Sequence, residues 1–545
     1  MKINRSFPIL KNNNNTNNRP SFDGRFYVMT DSHARMRTTA GVLTAIENEC
    51  QHKIPATLID GGDFSQFTYS LDSVMKVYTK FAKNNPNIKM IFNLGNVELY
   101  DFVNKIDTFN KYIKELTENG IEVISSSIDK LSKTFKTSND NIKPYTIIED
   151  IVDGQKKKVL LTGTASLNDN SIINVNEQND ALKTALSKAL QDSKKKPDNI
   201  ILLSHNYLQD THTILDYLRN EMKLDNISGI FGGHPHSLID EMQNGTRILY
   251  APPHGYGALK VDLTQKGIEY PTMQLAKQGD YNYETLFHNQ DRTILNLSFD
   301  NPLPINPEYQ AIMDKYDPDM NKLIAKASVN LGYRKPGKYA SDTSEIGTFL
   351  ANSIKEKTGS DIAILLTMDI RDKLPSAGND IKLYNVKYAL NVDKPVSRKI
   401  VTPKDLKDIF EISLEKQADN ETNRDFFEFS DNLKIERYVN RTKNESKVKQ
   451  IYIKDKNGNW QGLLEDVNGE TVVKKEFQHK KYSLATCNFV ASGGRQSLFF
   501  FKTIPYDPKF QENRLTTEGI FIEALKDAEK HPLEKSPKSQ IIDTE

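Results

Sequence analysis

Five short passages of this chain end in side chains suited to holding metal ions. They are Asp31 and His33 in RFYVMTDSH, Asp63 in ATLIDGGD, Asn96 in IKMIFNLGN, His205 in NIILLSH, and His234 with His236 in SGIFGGHPH. Carboxylates, an amide oxygen and imidazoles together suit divalent ions such as Mn²⁺, Zn²⁺, Fe²⁺ or Co²⁺. A carboxylate such as Asp63 can bridge two ions. Two ions about 3.5–4 Å apart can clamp a phosphoryl group and lower the pKa of a water between them, so that a bridging hydroxide attacks phosphorus in line with the leaving oxygen. Each passage alone is weak, because Gly-Asp and Gly-Asn are common turn dipeptides and Asp or His often caps a helix. Five in one direction, each after an apolar run, point to a two-ion site.

The elements that must position these residues can be read around them. Each passage opens as a short apolar run bounded by Gly or Asn, the pattern of a buried strand running into a loop. Between them, Thr39 to Glu49, Leu71 to Ala82, Asp107 to Thr117 and Glu177 to Asp192 have helical spacing. Strands alternating with helices imply α/β layers, and in such sheets ligands gather at the carboxyl ends of strands.

Bulk properties set the outer limits. A chain of 545 residues implies two or three domains. Lys plus Arg number 73 and Asp plus Glu 72, a net charge of +1, so electrostatics argue for neither a nucleic-acid nor a membrane partner. Cys50 and Cys487, far apart and the only two cysteines, exclude a disulfide framework and argue against a thiolate metal site. No apolar run reaches the length that crosses a bilayer. The first residues, MKINRSFPILKNNNNTNNRPSFDG, lack the apolar core of a signal peptide, so a cytoplasmic location is the default expectation. The Asn tract from Asn12 to Asn18 reads as a disordered tail.

The ordered set DSH, GGD, GNVE, SHN and GHPH resembles the calcineurin-like metallophosphoesterase family. The resemblance implies a four-layer α/β/β/α sandwich. It places Asp31, His33, Asp63 and His236 around one ion, and Asp63, Asn96, His205 and His234 around the other. One departure concerns chemistry. The family's G-N-H-[DE] reads Gly95-Asn96-Val97-Glu98 here, and Tyr100 stands where the 5′-nucleotidase branch has the Asp that pairs with that His. The usual His-Asp dyad is therefore absent, no catalytic acid is assigned, and such a loss costs on the order of 10²–10⁴ in rate. Arg35 and Arg37 follow the first motif and could reach a phosphate, although loop arginines ordinarily face solvent. Tyr100 reads as a packing residue, and His52 and His212 as structural. His254, in PPHGYG, can line the cleft but is not counted as a ligand.

The second half reads as a separate unit. NPLPINPEYQAIMDKY is a Pro-rich link into a helix. SEIGTFLANSIKEKTGSDIAILL is a helix followed by a strand, LKDIFEISLE a helix, KDKNGNWQG a hairpin turning at Asn-Gly, and KKYSLATCNFVASGG a strand entering a glycine loop. These segments resemble the C-terminal, nucleoside-binding domain of 5′-nucleotidases. The resemblance implies that Phe429 and Phe489 sandwich a base, a contact every base can make with an aromatic ring, and that Arg371, in Met368-Asp369-Ile370-Arg371, serves the substrate. Here too there are departures. Ser492-Gly493-Gly494-Arg495-Gln496-Ser497 places Arg495 where the family has an Asp that holds the sugar, and an Arg favours phosphate or carboxylate. Asn391-Val392-Asp393-Lys394 replaces Pro-Phe-Gly-Asn.

The expected plan is a tail at 1–20, a metallophosphoesterase domain at 21–297, a linker with a helix at 298–330, a 5′-nucleotidase-like α/β substrate domain at 331–531, and a tail at 532–545. The expected activity is hydrolysis of a nucleotide or related phosphate ester by a monomer carrying two divalent ions. The alternatives are an enzyme of the same class with changed specificity, toward a phosphodiester or non-nucleotide substrate, and a binding protein without turnover.

Overall fold

The computed structural model describes residues 25–544, apart from 52, 67–70, 129–139, 153–154, 166–174, 193–195, 265–266, 270–292, 296–301, 334–342, 391, 415–425, 441–444, 495, 511–514 and 531–539. The Asn-rich tail and Arg495 lie outside the described residues. Among those described, no helix is long and apolar enough to cross a membrane.

The first half is built on two facing sheets. In chain order the strands are β1 (Arg25–Met29), β2 (Ala56–Asp60), β3 (Ile88–Asn93), β4 (Ile121–Ile124), β5 (Ile142–Lys143), β6 (Tyr145–Val152), β7 (Gln155–Ala165), β8 (Asn199–His205), β9 (Ile227–Gly233), β10 (Ile239–Gln243), β11 (Thr246–Tyr250), β12 (Gly257–Thr264), β13 (Gly267–Glu269) and β14 (Thr293–Leu295). One sheet runs β13-β12-β1-β2-β3-β4-β5, with β14 also on β12, and the other runs β10-β11-β9-β8-β7-β6.

Alternation along β1 shows why both faces of the first sheet are covered. Phe26 and Val28 point into the apolar layer between the sheets, with Ile59, Ile91, Ile201, Leu203 and Phe231. Tyr27 and Met29 point outward, into a layer with Val74, Val77 and Phe81 from the helix α2 (Leu71–Asn84), which follows α1 (Met36–Cys50). A strand buried on both faces reads as continuous apolar sequence, the pattern of RFYVM. The outer face of the second sheet packs Leu160, Ile200 and Leu202 against Leu182, Leu186, Ile214 and Leu218, from the helices Val175–Asp192 and Leu208–Asn220. The result is the expected four layers. All four helices expected from spacing are present within a few residues of their expected ends.

The helix Pro307–Tyr316 begins with Asn306 Oδ1 accepting from the Glu308 N–H and Pro307 in its first turn, a standard helix start. Its Tyr309 and Met313 join the core of the first half, so this linker helix packs on that half. The second half holds a sheet ordered Val396–Val401, Tyr482–Cys487, Ile362–Leu366, Phe427–Phe429. The expected hairpin pairs Lys454 with Trp460 across Asn457-Gly458. The expected tail at 532–545 needs a correction, because Ile541–Thr544 pairs in parallel with the strand Leu433–Asn440. Ile541 is buried, and the Gln540 amide donates to the Ser430 and Leu433 carbonyls, so this strand forms one edge of a second sheet ordered Trp460–Gly462, Glu445–Lys454, Leu433–Asn440, Ile541–Thr544.

Candidate metal centre

The topology brings the five passages to one edge. β1, β2 and β3 are parallel neighbours, as are β8 and β9. Their carboxyl ends carry Asp31, Asp63, Asn96, His205 and His234. Ligand atoms of Asp31, His33, Asp63 and His236 lie within 4.8 Å of one another. His205 joins them through Nε2, 3.3 Å from Asp63 Oδ2 and 3.7 Å from Asp31 Oδ1. His234 Nδ1 is 2.8 Å from Asn96 Oδ1, and the His234 backbone N–H donates to the Asp31 carboxylate. All seven expected ligands thus form one connected cluster.

The backbone there is unusual. Asp31, His33, Asp63, His234 and His236 all have positive φ, between 47° and 93°. Asp and His tolerate this region better than most residues, yet each such position costs on the order of 1–3 kcal/mol and is characteristic of functional sites. The strain is supported from below. Glu98, buried in the first turn of α3 (Asn96–Asn104), accepts from the backbone N–H groups of Asp63, Gly95 and Ser65 at 2.8–2.9 Å and from Ser65 Oγ at 2.6 Å. The bond to Gly95 is half of a capping box. Val97 N–H donates to Asp63 Oδ1 at 2.9 Å, so the helix start also steadies the carboxylate. Gly95 must lack a side chain, since a Cβ would stand 2.2 Å from Asp63 Oδ1. Burial and the neighbouring Asp63 raise the Glu98 pKa to about 7.

The donor set fits divalent ions. His205 Nδ1 bonds the Gly61 carbonyl at 3.1 Å, which places that ring's proton away from the cluster, as metal-binding histidines require. Its Nε2, and that of His234, are buried without a hydrogen-bond partner. Such groups are rare without a reason; His205 Nε2 faces the Asp63 carboxylate of the cluster, while His234 meets Asn96 through Nδ1. In the metal-free protein, burial lowers the His205 pKa, but Asp63 and Asp31 outweigh it and push the value up to about 10. Burial and the charge on His205 push His234 down to about 4. Asp31 and Asp63 stay below their ordinary range because facing imidazoles, His205 first, overcome the cost of burial.

Other expected residues are placed differently. Arg35 neither faces solvent nor reaches into the cluster. Arg35 is 3% exposed, and its guanidinium donates to Asp372 Oδ2 and the Tyr388 carbonyl, each at 2.7 Å, and so ties the first motif to the second half of the chain. Tyr256 OH also bonds Asp372. Arg37 lies over Tyr384. Tyr100 is 43% exposed rather than packed. His212 pairs with Glu241 at 3.0 Å. Arg371 crosses between the halves, its Nη1 2.8 Å from His236 Nδ1. Phe429 is buried against Phe410, ring centroids 5.3 Å apart, and offers no face to a base. The short apolar strand FEF puts it in the core. Phe489 is half-buried, with the Lys394 ammonium 4.9 Å above its ring. Lys394 in turn bonds Asp369 at 2.5 Å.

His254, expected to line the cleft without being counted as a ligand, stands beside the cluster. It is buried with φ of 62°, its ring centroid is 4.7 Å from that of His236, and its Nδ1 is buried without a partner. Its place after a strand, in PPHGYG, was the available signal.

Known proteins bear on this geometry. The sequence model of calcineurin-like phosphoesterases matches residues 24–238, and that of the 5′-nucleotidase C-terminal domain matches residues 324–503. A curated relative, the trifunctional nucleotide phosphoesterase protein YfkN of Bacillus subtilis, is 26% identical over 387 residues, which is 61% of this chain and 24% of that protein's length. Among solved structures, a 5′-nucleotidase precursor from Thermus thermophilus superposes with a TM-score of 0.62 at 16% identity, covering 96% of this chain and 99% of the other. The sulfate thiohydrolase SoxB of Thermus thermophilus, in complex with glycerol, gives 0.61 at 12% identity, covering 97% and 98%. Those two likenesses show the fold alone, and between them the fold is shared by proteins named for different substrates. Residues 24–238 thus match the calcineurin-like phosphoesterases and residues 324–503 the 5′-nucleotidase C-terminal domain, in the order that the motifs of the sequence implied.

Proposed function

We propose that this chain hydrolyses a small phosphate ester with two divalent ions, one held by Asp31, His33, Asp63 and His236 and the other by Asp63, Asn96, His205 and His234. The observation that carries this is the convergence of the seven donors: Asp31, His33, Asp63 and His236 within 4.8 Å of one another, His205 Nε2 against Asp63, and His234 Nδ1 against Asn96. Bound ions supply Lewis acidity toward the phosphoryl oxygens and acidify water for attack at phosphorus. The chain's own contribution is positional. Glu98 and the start of α3 fix Asp63, the Gly61 carbonyl orients His205, and Asn96 meets His234. Val97 is buried and apolar, so its side chain has no proton to give a departing oxygen, and esters with good leaving groups are favoured.

A changed specificity is the second reading. Phe429 is unavailable and Lys394 covers the face of Phe489, which speaks against a two-ring nucleobase sandwich, while the relatives named for nucleotides keep a nucleotide among the candidates. The test is phosphate release with Mn²⁺ or Co²⁺ from an aryl phosphate, an aryl phosphodiester and nucleoside monophosphates side by side. Activity on any of them that vanishes in Asp63→Ala supports the proposal, and the ranking selects the substrate class. Bound ions without turnover would leave a binding protein. If no added ion binds or raises the melting temperature, the two-ion reading fails.

A further inference from the structure

We propose that the second half of the chain reads the leaving group by charge: Lys394 donates to an anionic group, a carboxylate or a further phosphate, carried by the alcohol part of the ester. The inference rests on the phosphoesterase reading above. In the second half, Ile362–Leu366 and Tyr482–Cys487 are parallel neighbours, and ligands gather beyond the carboxyl ends of such strands. Asp369 follows the first of these strands and Phe489 the second. Lys394 joins them from the loop before Val396–Val401, which pairs with Tyr482–Cys487. This edge lies beside the metal centre. Asp372, three residues past Asp369, is bound by Arg35, and Arg35 stands two residues past His33.

The ammonium is held in place. Nζ bonds Asp369 Oδ1 at 2.5 Å and lies 4.9 Å from the Phe489 ring centroid, within the reach of a cation–π contact. The backbone is pinned as well. Lys394 N–H donates to Thr517 Oγ1, its carbonyl accepts from the Thr517 N–H, and the Pro395 carbonyl accepts from the Asn488 N–H at 2.7 Å, next to Phe489. Asp369 faces inward. Its Oδ2 accepts from the buried Cys487 thiol at 3.6 Å, and its side chain is 9% exposed against 17% for Lys394, so an approaching group meets the ammonium first. An ammonium has three donors, and among the described residues only Asp369 accepts one of them. The others suit a carboxylate or phosphate oxygen, with which charge-assisted hydrogen bonds are strong. Laying a nucleobase on this face of Phe489 would instead push the ammonium off a buried carboxylate, which is costly.

The test compares esters of like shape that differ in this charge, para-carboxyphenyl phosphate against para-carbamoylphenyl phosphate, and a second such pair lengthened by an ethylene arm. Each is given to the full-length chain with Mn²⁺. Wild type is expected to show a KM about tenfold lower for the carboxylate in at least one pair, the size of one charge-assisted hydrogen bond. Lys394→Arg should keep the preference. Lys394→Met combined with Asp369→Asn removes both charges, leaves no buried carboxylate unpaired, and should lose the preference, with its melting temperature checking the fold. Calorimetry with the matching aryl phosphonates, which are not hydrolysed, makes the same comparison as binding. Equal KM values and equal binding within both pairs, or a preference that survives in the double variant, would overturn the proposal while turnover itself leaves the phosphoesterase reading standing. If no ester is turned over and no phosphonate binds, with or without Mn²⁺, the phosphoesterase reading falls and this proposal with it.

Discussion

Glu98 offers the sharpest test of how the metal loops are held. Its two carboxylate oxygens accept four hydrogen bonds, three of them from buried backbone N–H groups. In Glu98→Leu, of similar size and without an acceptor, all three N–H groups lose their partner. At about 1–3 kcal/mol for each unpaired buried donor, the loss is roughly 3–9 kcal/mol, against a total stability of about 5–15 kcal/mol for a domain. Glu98→Gln is milder. Its oxygen can turn toward Asp63 and Gly95, the Ser65 hydroxyl can rotate to accept from the amide, and only the Ser65 N–H is stranded, at about 1–3 kcal/mol. Urea unfolding of the metal-free protein, followed by far-UV circular dichroism, should therefore rank wild type above Glu98→Gln and Glu98→Leu last, the Leu variant folding poorly. If Glu98 were instead a catalytic acid or base, Glu98→Gln would lose on the order of 10²–10⁴ in turnover at nearly unchanged stability. Equal stability of all three proteins would refute the scaffold argument.

Three further outcomes are expected. Val97→His restores an imidazole to the start of α3 and should raise turnover of esters with poor leaving groups by on the order of 10²; an unchanged rate constant would show that the leaving oxygen obtains its proton elsewhere. His205, with its metal-free pKa raised to about 10 from an ordinary value of about 6.5, stabilises the metal-free fold fully below about pH 6.5 and loses that contribution as pH rises through about 10. A divalent ion must displace the same proton, so calorimetry near neutral pH in buffers of differing ionisation enthalpy should show about one proton released per loaded site and affinity rising about tenfold per pH unit; zero release would contradict the assignment. Arg35→Met leaves Asp372 buried without its guanidinium, a loss of about 3–5 kcal/mol for a broken buried pair, and should expose the joint between the halves to proteolysis; an unchanged digestion pattern would show that this ion pair does not hold the halves together.

What could be read in advance was local. The strands ending at Asp31, Asp63, Asn96, His205 and His234 were legible because a strand buried on both faces needs an unbroken apolar run, and the polar residue that ends the run marks the edge where ligands collect. The helices were legible from their spacing, and the hairpin from Asn457-Gly458. Tertiary structure decided what depends on neighbours distant in sequence. Arg35 and Arg371 look alike as loop arginines, yet one is locked to Asp372 and the other bonds His236, because each finds its partner in the other half of the chain. Phe429 and Phe489 both sit in apolar sequence, but only packing shows that one ring is sealed in the core and the other half-buried beneath an ammonium. The residue types and their order determined which chemistry the site can hold, since ligand character belongs to the side chain. The fold decided which nitrogen of each histidine faces that chemistry, since hydrogen bonds across the chain orient the rings.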